Sequence, residues 1–470
     1  MTNNETKPRV GYLFIAVVLC VLAGLLIWWG IKGLEGESPA FRLERPIKSI
    51  GTSYTLNGVA SDQKSGVKRI WIALLQQKKE VVLLDQTLPS KGLLMGGAVR
   101  KQPVSLEIKA HQLGFKDGEA VLRTAVWDYS YRGWGSGNRS YAEYKLLIDT
   151  RPPNIELISR THNLNQGGAG LAIYRVSEPI ATTGVNVGNR FFPGSKDCFA
   201  DSSVFVAFFA LPYDKDLDTQ LHVTATDRAG NTSRTGFAYH INAKAFKKDT
   251  ISLSDAFLKR KMPEFEEALG QDGRRASLIE KFLAVNRDLR IANLKTVQDA
   301  CKESDAKWHW TGPFLRLPAS ARRAGFADHR SYLYEGRVID DQVHLGIDLA
   351  STGYSAVPAA NSGRVAFAED LGIYGKTVII DHGFNLFSMY SHLSRIQVAR
   401  NKSVSKGDII GATGSTGLAG GDHLHFGMLI HHTFVNPIEW WDTNWIRHNI
   451  TDKLKSAKEQ IRTSNKEARQ

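Results

Sequence analysis

The sequence predicts a multidomain, mainly β protein with one apolar helix at its N-terminus. Length is the first sign: 470 residues correspond to about three domains at roughly 150 residues each. Composition is the second, since 42% hydrophobic, 23% charged and 10% aromatic residues describe a folded chain and exclude general disorder. The third is pattern. Between about 41 and 243 the chain consists of short apolar runs separated by Gly, Asp, Asn and Ser, the spacing of an antiparallel sandwich. Sixty Lys and Arg against 47 Asp and Glu leave a formal charge of +13, which favours an anionic polymer or surface without selecting one. Three cysteines, Cys20, Cys198 and Cys301, include no C-x-x-C pair. A disulfide framework and a thiolate metal site are therefore excluded, and any metal must use His and carboxylate.

Residues 1–10 read as a short stub and 11–32 as a transmembrane anchor. Tyr12 to Ile31 carries no charge, and twenty helical residues span about 30 Å of hydrocarbon. Trp28 and Trp29 suit a headgroup boundary, Lys7 and Arg9 precede the run, and Glu35 and Glu37 follow it. That asymmetry puts the stub in the cytoplasm and the rest outside. Ser38-Pro39-Ala40 has a small-x-small form, but the apolar run exceeds the usual ~7–15 residues of a cleaved signal, so the reading is a single-pass anchor.

Two β modules follow, over 41–150 and 151–243. Lys68 to Leu75, Val121 to Trp127 and Leu221 to Thr226 are strand-like runs. Leu122 to Asp128 and Leu221 to Asp227 look like copies 99 residues apart, each ending in an Asp that opens a turn, with Arg151-Pro152-Pro153 as the seam. Each module resembles a bacterial immunoglobulin-like β-sandwich, in which Asp227-Arg-Ala-Gly-Asn231 is a frequent hairpin signature; the modules read as a spacer, with a reach-extending stalk or a wall-binding surface as the functional alternatives. Over 244–310 the pattern changes to a short helical linker. Ser252 or Ser254 can cap a helix, Pro263 stops it, and Leu278, Phe282 and Val285, then Leu294, Val297 and Cys301, form apolar stripes. Cys198 and Cys301 are candidates to pair in an oxidising compartment, although sequence does not place their Cα atoms.

Residues 311–445 hold the chemistry. His344 and Asp348 are four apart and share a side in helix or strand. His423 and His425 alternate with Leu424 and Phe426, so on a strand both rings leave one face. The same parity groups Ser388, Tyr390 and His392, and Asp381 to Asn385 supplies a turn pairing that strand with Thr377 to Ile380. A hydrolytic zinc site uses three protein ligands and leaves a position for water. His344, Asp348 and one of His423 and His425 meet that need, and the remaining imidazoles provide a base and an oxyanion donor. H-E-x-x-H is absent.

His344-x-x-x-Asp348, Tyr390-Ser-His392-Leu393 and Gly420-Gly-Asp-His423-Leu-His425-Phe426 together resemble the lysostaphin/LytM-type zinc endopeptidases of bacterial cell walls. The likeness runs from about 335 to 442 and includes Gly411-Ala-Thr-Gly414-Ser-Thr-Gly417 and Asn436-Pro437. It implies an antiparallel β-sheet peptidase domain with one Zn²⁺ held by His344, Asp348 and His425. It further implies His392 and His423 as the catalytic pair, with Tyr390 assisting His392 at the oxyanion. Peptidoglycan cross-links would be the substrate, cut from the outer side of a bacterial cytoplasmic membrane, in the periplasm or cell exterior. The alternative function is a non-catalytic peptidoglycan-binding or hydrolase-activating protein using the same groove; cell-wall or division-complex proteins are conceivable partners. Nucleic acid is not expected, because no basic-aromatic module accompanies the charge. Gly411 to Gly421 lacks the Gly-Lys-Ser/Thr of a phosphate loop and reads as turn glycine. The tail, 446–470, is basic, with Ile450, Leu454, Ala457 and Ile461 at helical spacing.

Overall fold

The computed structural model describes residues 9–33, 35–92, 96–132 and 136–467. They form two compact units, Met1–Pro152 with Thr226–Thr232, and Pro153–Ala225 with Ser233–Gln470.

In the first unit the uncharged run becomes helix α1, Arg9–Gly33, which exposes Tyr12, Leu13 and Phe14. Lys7 and the side chains of Arg9, Trp28 and Trp29 lie outside the described residues. Among the described residues no helix is long and apolar enough to cross a membrane. Eight strands follow: β1 Ala40–Leu43, β2 Ser49–Ile50, β3 Tyr54–Ser61, β4 Val67–Gln76, β5 Lys79–Thr87, β6 Lys101–Ile108, β7 Gly118–Asp128 and β8 Arg139–Ile148. They make two sheets, ordered β1-β3-β6 and β2-β8-β7-β4-β5. Period-two alternation decides the core. Leu56, Val104 and Ile108 from one sheet meet Ile70, Ile72, Leu122 and Ile148 from the other in one buried cluster. The register sets Leu74 opposite Leu122 and Ile70 opposite Val126. A shift of one residue would turn all of these outward.

In the second unit the strand Val204–Ala210 is buried at every position. Its continuous apolar run, Val-Phe-Val-Ala-Phe-Phe-Ala, is what a strand covered on both faces requires. It pairs with Ala169–Val176, and Phe208 packs on Trp308 and Trp440 at ring separations of 5.6 and 6.0 Å. Glu439 adds a polar tie: its carboxylate accepts from Asn165 Nδ2 at 2.7 Å and from the Ala169 N–H at 2.8 Å. The core therefore runs without interruption from Ile155 to Ile461. Ile450, Ala457 and Ile461 are buried in it, so the basic tail packs as the helix Asp452–Glu467.

The helical linker starts where sequence places a cap. Ser254 Oγ accepts the Phe257 N–H for helix Asp255–Lys261, and Ser277 with Glu280 forms a capping box for Leu278–Ala284. Glu266–Arg275 and Arg290–Ala300 are further helices of the linker. Cys198 and Cys301 are free thiols, so the pairing considered above is not made.

The C-terminal region is built on an eight-stranded sheet. Its order is Ala321–Ala324, Ile347–Ala350, Leu424–Ile430, Leu386–Leu393, Lys376–Asp381, Gly363–Asp370 and Ser403–Val404, with Thr433–Val435 paired to Leu424–Ile430. Neighbours along it are antiparallel. A smaller sheet sets Arg337–His344 against Asp328–Tyr334, which also takes Lys248–Ser252 in parallel.

Candidate metal centre and active site

Two neighbouring strands and the end of a third bring the predicted ligands together. Asp348 stands directly opposite His425 in the antiparallel register, and His344 ends the strand Arg337–His344. His344 Nε2 lies 2.9 Å from Asp348 Oδ1 and 2.9 Å from His425 Nδ1. His425 Nδ1 lies 3.0 Å from the same Oδ1. The Nδ1 of His344 is 2.7 Å from the Gly325 carbonyl. A carbonyl only accepts, so Nδ1 carries the proton and Nε2 presents a lone pair. Converging acceptors of this kind repel unless a cation lies among them. A tetrahedral zinc with bonds of about 2.0–2.1 Å sets its ligands ~3.3 Å apart, so the donor set fits that ion.

Next to this cluster sit His392 and His423, with ring centroids 4.9 Å apart. His392 has φ +62°, a left-handed backbone unusual for a side chain of its size. It follows Ser391, the last residue of its strand paired with Leu424–Ile430, and its Nδ1 donates to the Thr416 carbonyl at 2.9 Å. His423 donates through Nδ1 to the Gly421 carbonyl at 2.8 Å. Its Nε2 lies 3.5 Å from Asp348 Oδ1. The two rings thus hold the same tautomer.

Tyr390 is not at the site. Its hydroxyl accepts from the Ala360 N–H at 2.7 Å and from Ser388 at 2.9 Å, and its ring packs on Phe426. Ser388 in turn contacts buried His382 at 2.7 Å. The expected grouping of Ser388, Tyr390 and His392 breaks because the left-handed residue ends the regular alternation.

Two contributors carry no sequence signal. Arg330 Nη2 donates to Asp348 Oδ2 at 3.0 Å, leaving Oδ1 for the cluster. Its guanidinium comes from a strand that only tertiary folding brings near. Gly346 is needed for space: a Cβ there would lie 2.5 Å from His425 Nε2. The spacing His344-Leu-Gly-Ile-Asp348 contains this glycine, but nothing one-dimensional shows which ring it must clear.

Burial opposes the Asp348 charge, yet the charge interaction with His344, followed by the contacts of His344, His423 and His425, outweighs it and holds the carboxyl well below its usual range. Burial pushes His425 down to about 4. It also holds His392 well below the usual imidazole range, aided by His423 and His425. Burial disfavours a charged His423 too, but the hydrogen bond and charge of Asp348 overcome it and raise that ring.

These groups open into a cavity of ≈ 360 Å³. Leu253, Phe257 and Phe282 of the helical linker line it together with His392, Leu418 and His423. The linker is fastened there by Lys261 Nζ to the Ser415 carbonyl at 2.5 Å and by the Ile373 N–H to Asn293 Oδ1 at 2.9 Å. The arrangement offers three ligand atoms, two further imidazole acceptors and a partly apolar cleft, the parts that metal-assisted hydrolysis requires.

Comparison with known proteins agrees in place and kind. Residues 342–437 match the model of Peptidase family M23. The chain is 37% identical over 97 residues to the DD-carboxypeptidase/endopeptidase Mpg of Neisseria meningitidis serogroup B, covering 21% of this chain and 22% of that protein. It is 33% identical over 96 residues to the peptidoglycan DD-endopeptidase ShyA of Vibrio cholerae, covering 20% and 22%. The chain thus spans about a fifth of the length of the curated relatives it matches. Among solved structures, the catalytic domain of lysostaphin from Staphylococcus simulans aligns with a TM-score of 0.23 and 26% identity, over 26% of this chain and 92% of that one.

Proposed function

From the premise that the C-terminus of this chain carries a Peptidase family M23 domain of the LytM/lysostaphin type, we propose that the protein is a membrane-anchored zinc endopeptidase. It hydrolyses peptide cross-links of peptidoglycan, in the DD-endopeptidase class that names ShyA. The observation that carries this reading is the convergence of His344 Nε2, Asp348 Oδ1 and His425 Nδ1 within 3.0 Å of one another.

Those three atoms would hold one zinc per chain. When bound, it supplies Lewis acidity, making water acidic near neutral pH and polarising a carbonyl. His423 Nε2 takes the water's proton and returns it to the leaving amine. Its hydrogen bond to Gly421 puts the neutral ring's proton on Nδ1, which leaves Nε2 as the basic nitrogen. The oxyanion role expected for His392 needs an N–H at Nε2, whereas the Thr416 bond puts the proton on Nδ1. We therefore assign His392 as a second acceptor that orients the water. Arg330 fixes the rotation of the Asp348 carboxylate, and the linker residues lining the cleft limit which peptides enter.

The anchor is the whole uncharged run Tyr12 to Ile31. Its support is that charge-free length together with the apolar side chains helix α1 leaves exposed, which water solvates poorly. The anchor sets the domain on the outer side of a bacterial cytoplasmic membrane.

Incubating the full chain, in detergent, with defined cross-linked muropeptides tests the reading. Mass spectrometry should find monomeric products, lost on chelation and restored by zinc. Stoichiometric zinc without cleavage would instead favour a wall-binding or hydrolase-activating role.

A further inference from the structure

A second cluster lies in the first unit, within the β-sandwich module. Carboxylate oxygens of Glu35, Asp62 and Asp128 all come within 4.8 Å of one another. The three residues are 7%, 3% and 0% exposed. They come from separate places in the chain: Glu35 precedes β1, Asp62 follows β3, and Asp128 ends β7.

Each carboxylate is held from behind by the backbone. Asp62 Oδ1 accepts the Gly66 N–H at 2.6 Å and the Lys64 N–H at 3.1 Å. Asp128 Oδ1 accepts the N–H groups of Ser130 and Asn138 at 2.9 and 2.7 Å. Glu35 Oε1 accepts the Ser65 N–H at 2.9 Å. Its other oxygen, Oε2, is buried and has no hydrogen-bond partner. An orphaned carboxylate oxygen, on a side chain more than nine-tenths buried and among two further carboxylates, carries a large desolvation cost without compensation. Asn138 Nδ2 bridges Asp128 Oδ2 and the Glu35 carbonyl at 2.8 and 3.1 Å, so the parts are positioned before any ligand arrives.

We propose that Glu35, Asp62 and Asp128 bind a calcium ion. The donors are all oxygen, which suits a hard cation and offers nothing to zinc or copper, whose sites draw on nitrogen and sulfur. Calcium accepts irregular carboxylate and carbonyl shells, whereas magnesium demands a near-ideal octahedron and keeps several waters. Binding ties the segment that follows helix α1 to two loops of the sandwich and stiffens that junction. The site is separate from the peptidase chemistry and does not rest on it.

The test uses the full chain, depleted of calcium by dialysis and titrated with CaCl₂ by calorimetry, with bound ⁴⁵Ca counted by equilibrium dialysis. The expected result is one ion per chain, with Kd in the ~10⁻⁴–10⁻³ M range of extracellular modules, and a higher thermal midpoint for the calcium-loaded chain. Glu35→Gln should weaken binding by about tenfold or more, because affinity follows the number of ligand charges, with zinc content unchanged. Should that variant misfold, Tb³⁺ luminescence on the wild-type chain, displaced by CaCl₂, reports the same site. Absence of saturable calcium binding up to about ten times that concentration range, or unaltered affinity in a folded Glu35→Gln chain, would overturn the proposal.

Discussion

The two buried donor clusters, His344/Asp348/His425 and Glu35/Asp62/Asp128, are alike in size and differ in what supplies them. Both bring three ligand atoms within 4.8 Å. The first draws two nitrogens and one oxygen from strands: register sets Asp348 opposite His425, and His344 ends a strand of a second sheet. It also borders a cleft with two more imidazoles. The second draws oxygens only, from the chain segments around a sandwich. Under the two proposals, donor type selects the ion in each case. The cluster that borders a cleft then serves a reaction, and the cluster held by sandwich segments serves structure.

The sharpest way to break the comparison is to remove one ligand from each cluster. His425→Ala should abolish zinc binding and take muropeptide cleavage to background, whereas Glu35→Gln should leave both unchanged. Next in size is His423→Ala. Turnover should fall by about 10²–10⁴-fold, the usual worth of a general base, while zinc stays near one per chain by metal analysis. Equal loss of zinc would mean that the base and ligand assignments of 423 and 425 are exchanged.

Smaller effects probe the support. Arg330→Gln frees Asp348 Oδ2 and should weaken zinc by about 10–100-fold, measured by competition with a chromogenic chelator. Smallest is a stability effect away from both clusters. Burial pushes Glu439 up to about 7, against the hydrogen bonds from Asn165 and Ala169 that favour its charge. A carboxyl raised in the folded state binds its proton more tightly there than when unfolded. Its contribution is full below the ordinary value of about 4.3 and is lost as pH rises through about 7. Thermal midpoints should therefore fall more for the wild-type chain than for Glu439→Gln between about pH 5 and 8.

Much of this was legible in one dimension because it depends on parity and local chemistry. His423 and His425 leave one strand face by alternation, and the Ser254 cap follows from a hydroxyl ahead of an apolar stripe. The ligand set needed the family resemblance to choose between 423 and 425. What was not legible is tertiary. Arg330 reaches Asp348 across strands, Gly346 clears a ring from a distant segment, and the positive φ at His392 sends Tyr390 and the imidazole to different surroundings. The fusion of the second module with the C-terminal region, through Phe208, Trp440 and Glu439, likewise depends on contacts more than 200 residues apart in the chain.

The most direct test of the zinc-hydrolase account measures zinc content and cleavage of one cross-linked muropeptide in the same samples of wild type, His425→Ala and His423→Ala. The account predicts zinc with cleavage, neither, and zinc without cleavage, in that order. Cleavage that persists in His425→Ala, or that continues in wild type stripped of zinc, would contradict it.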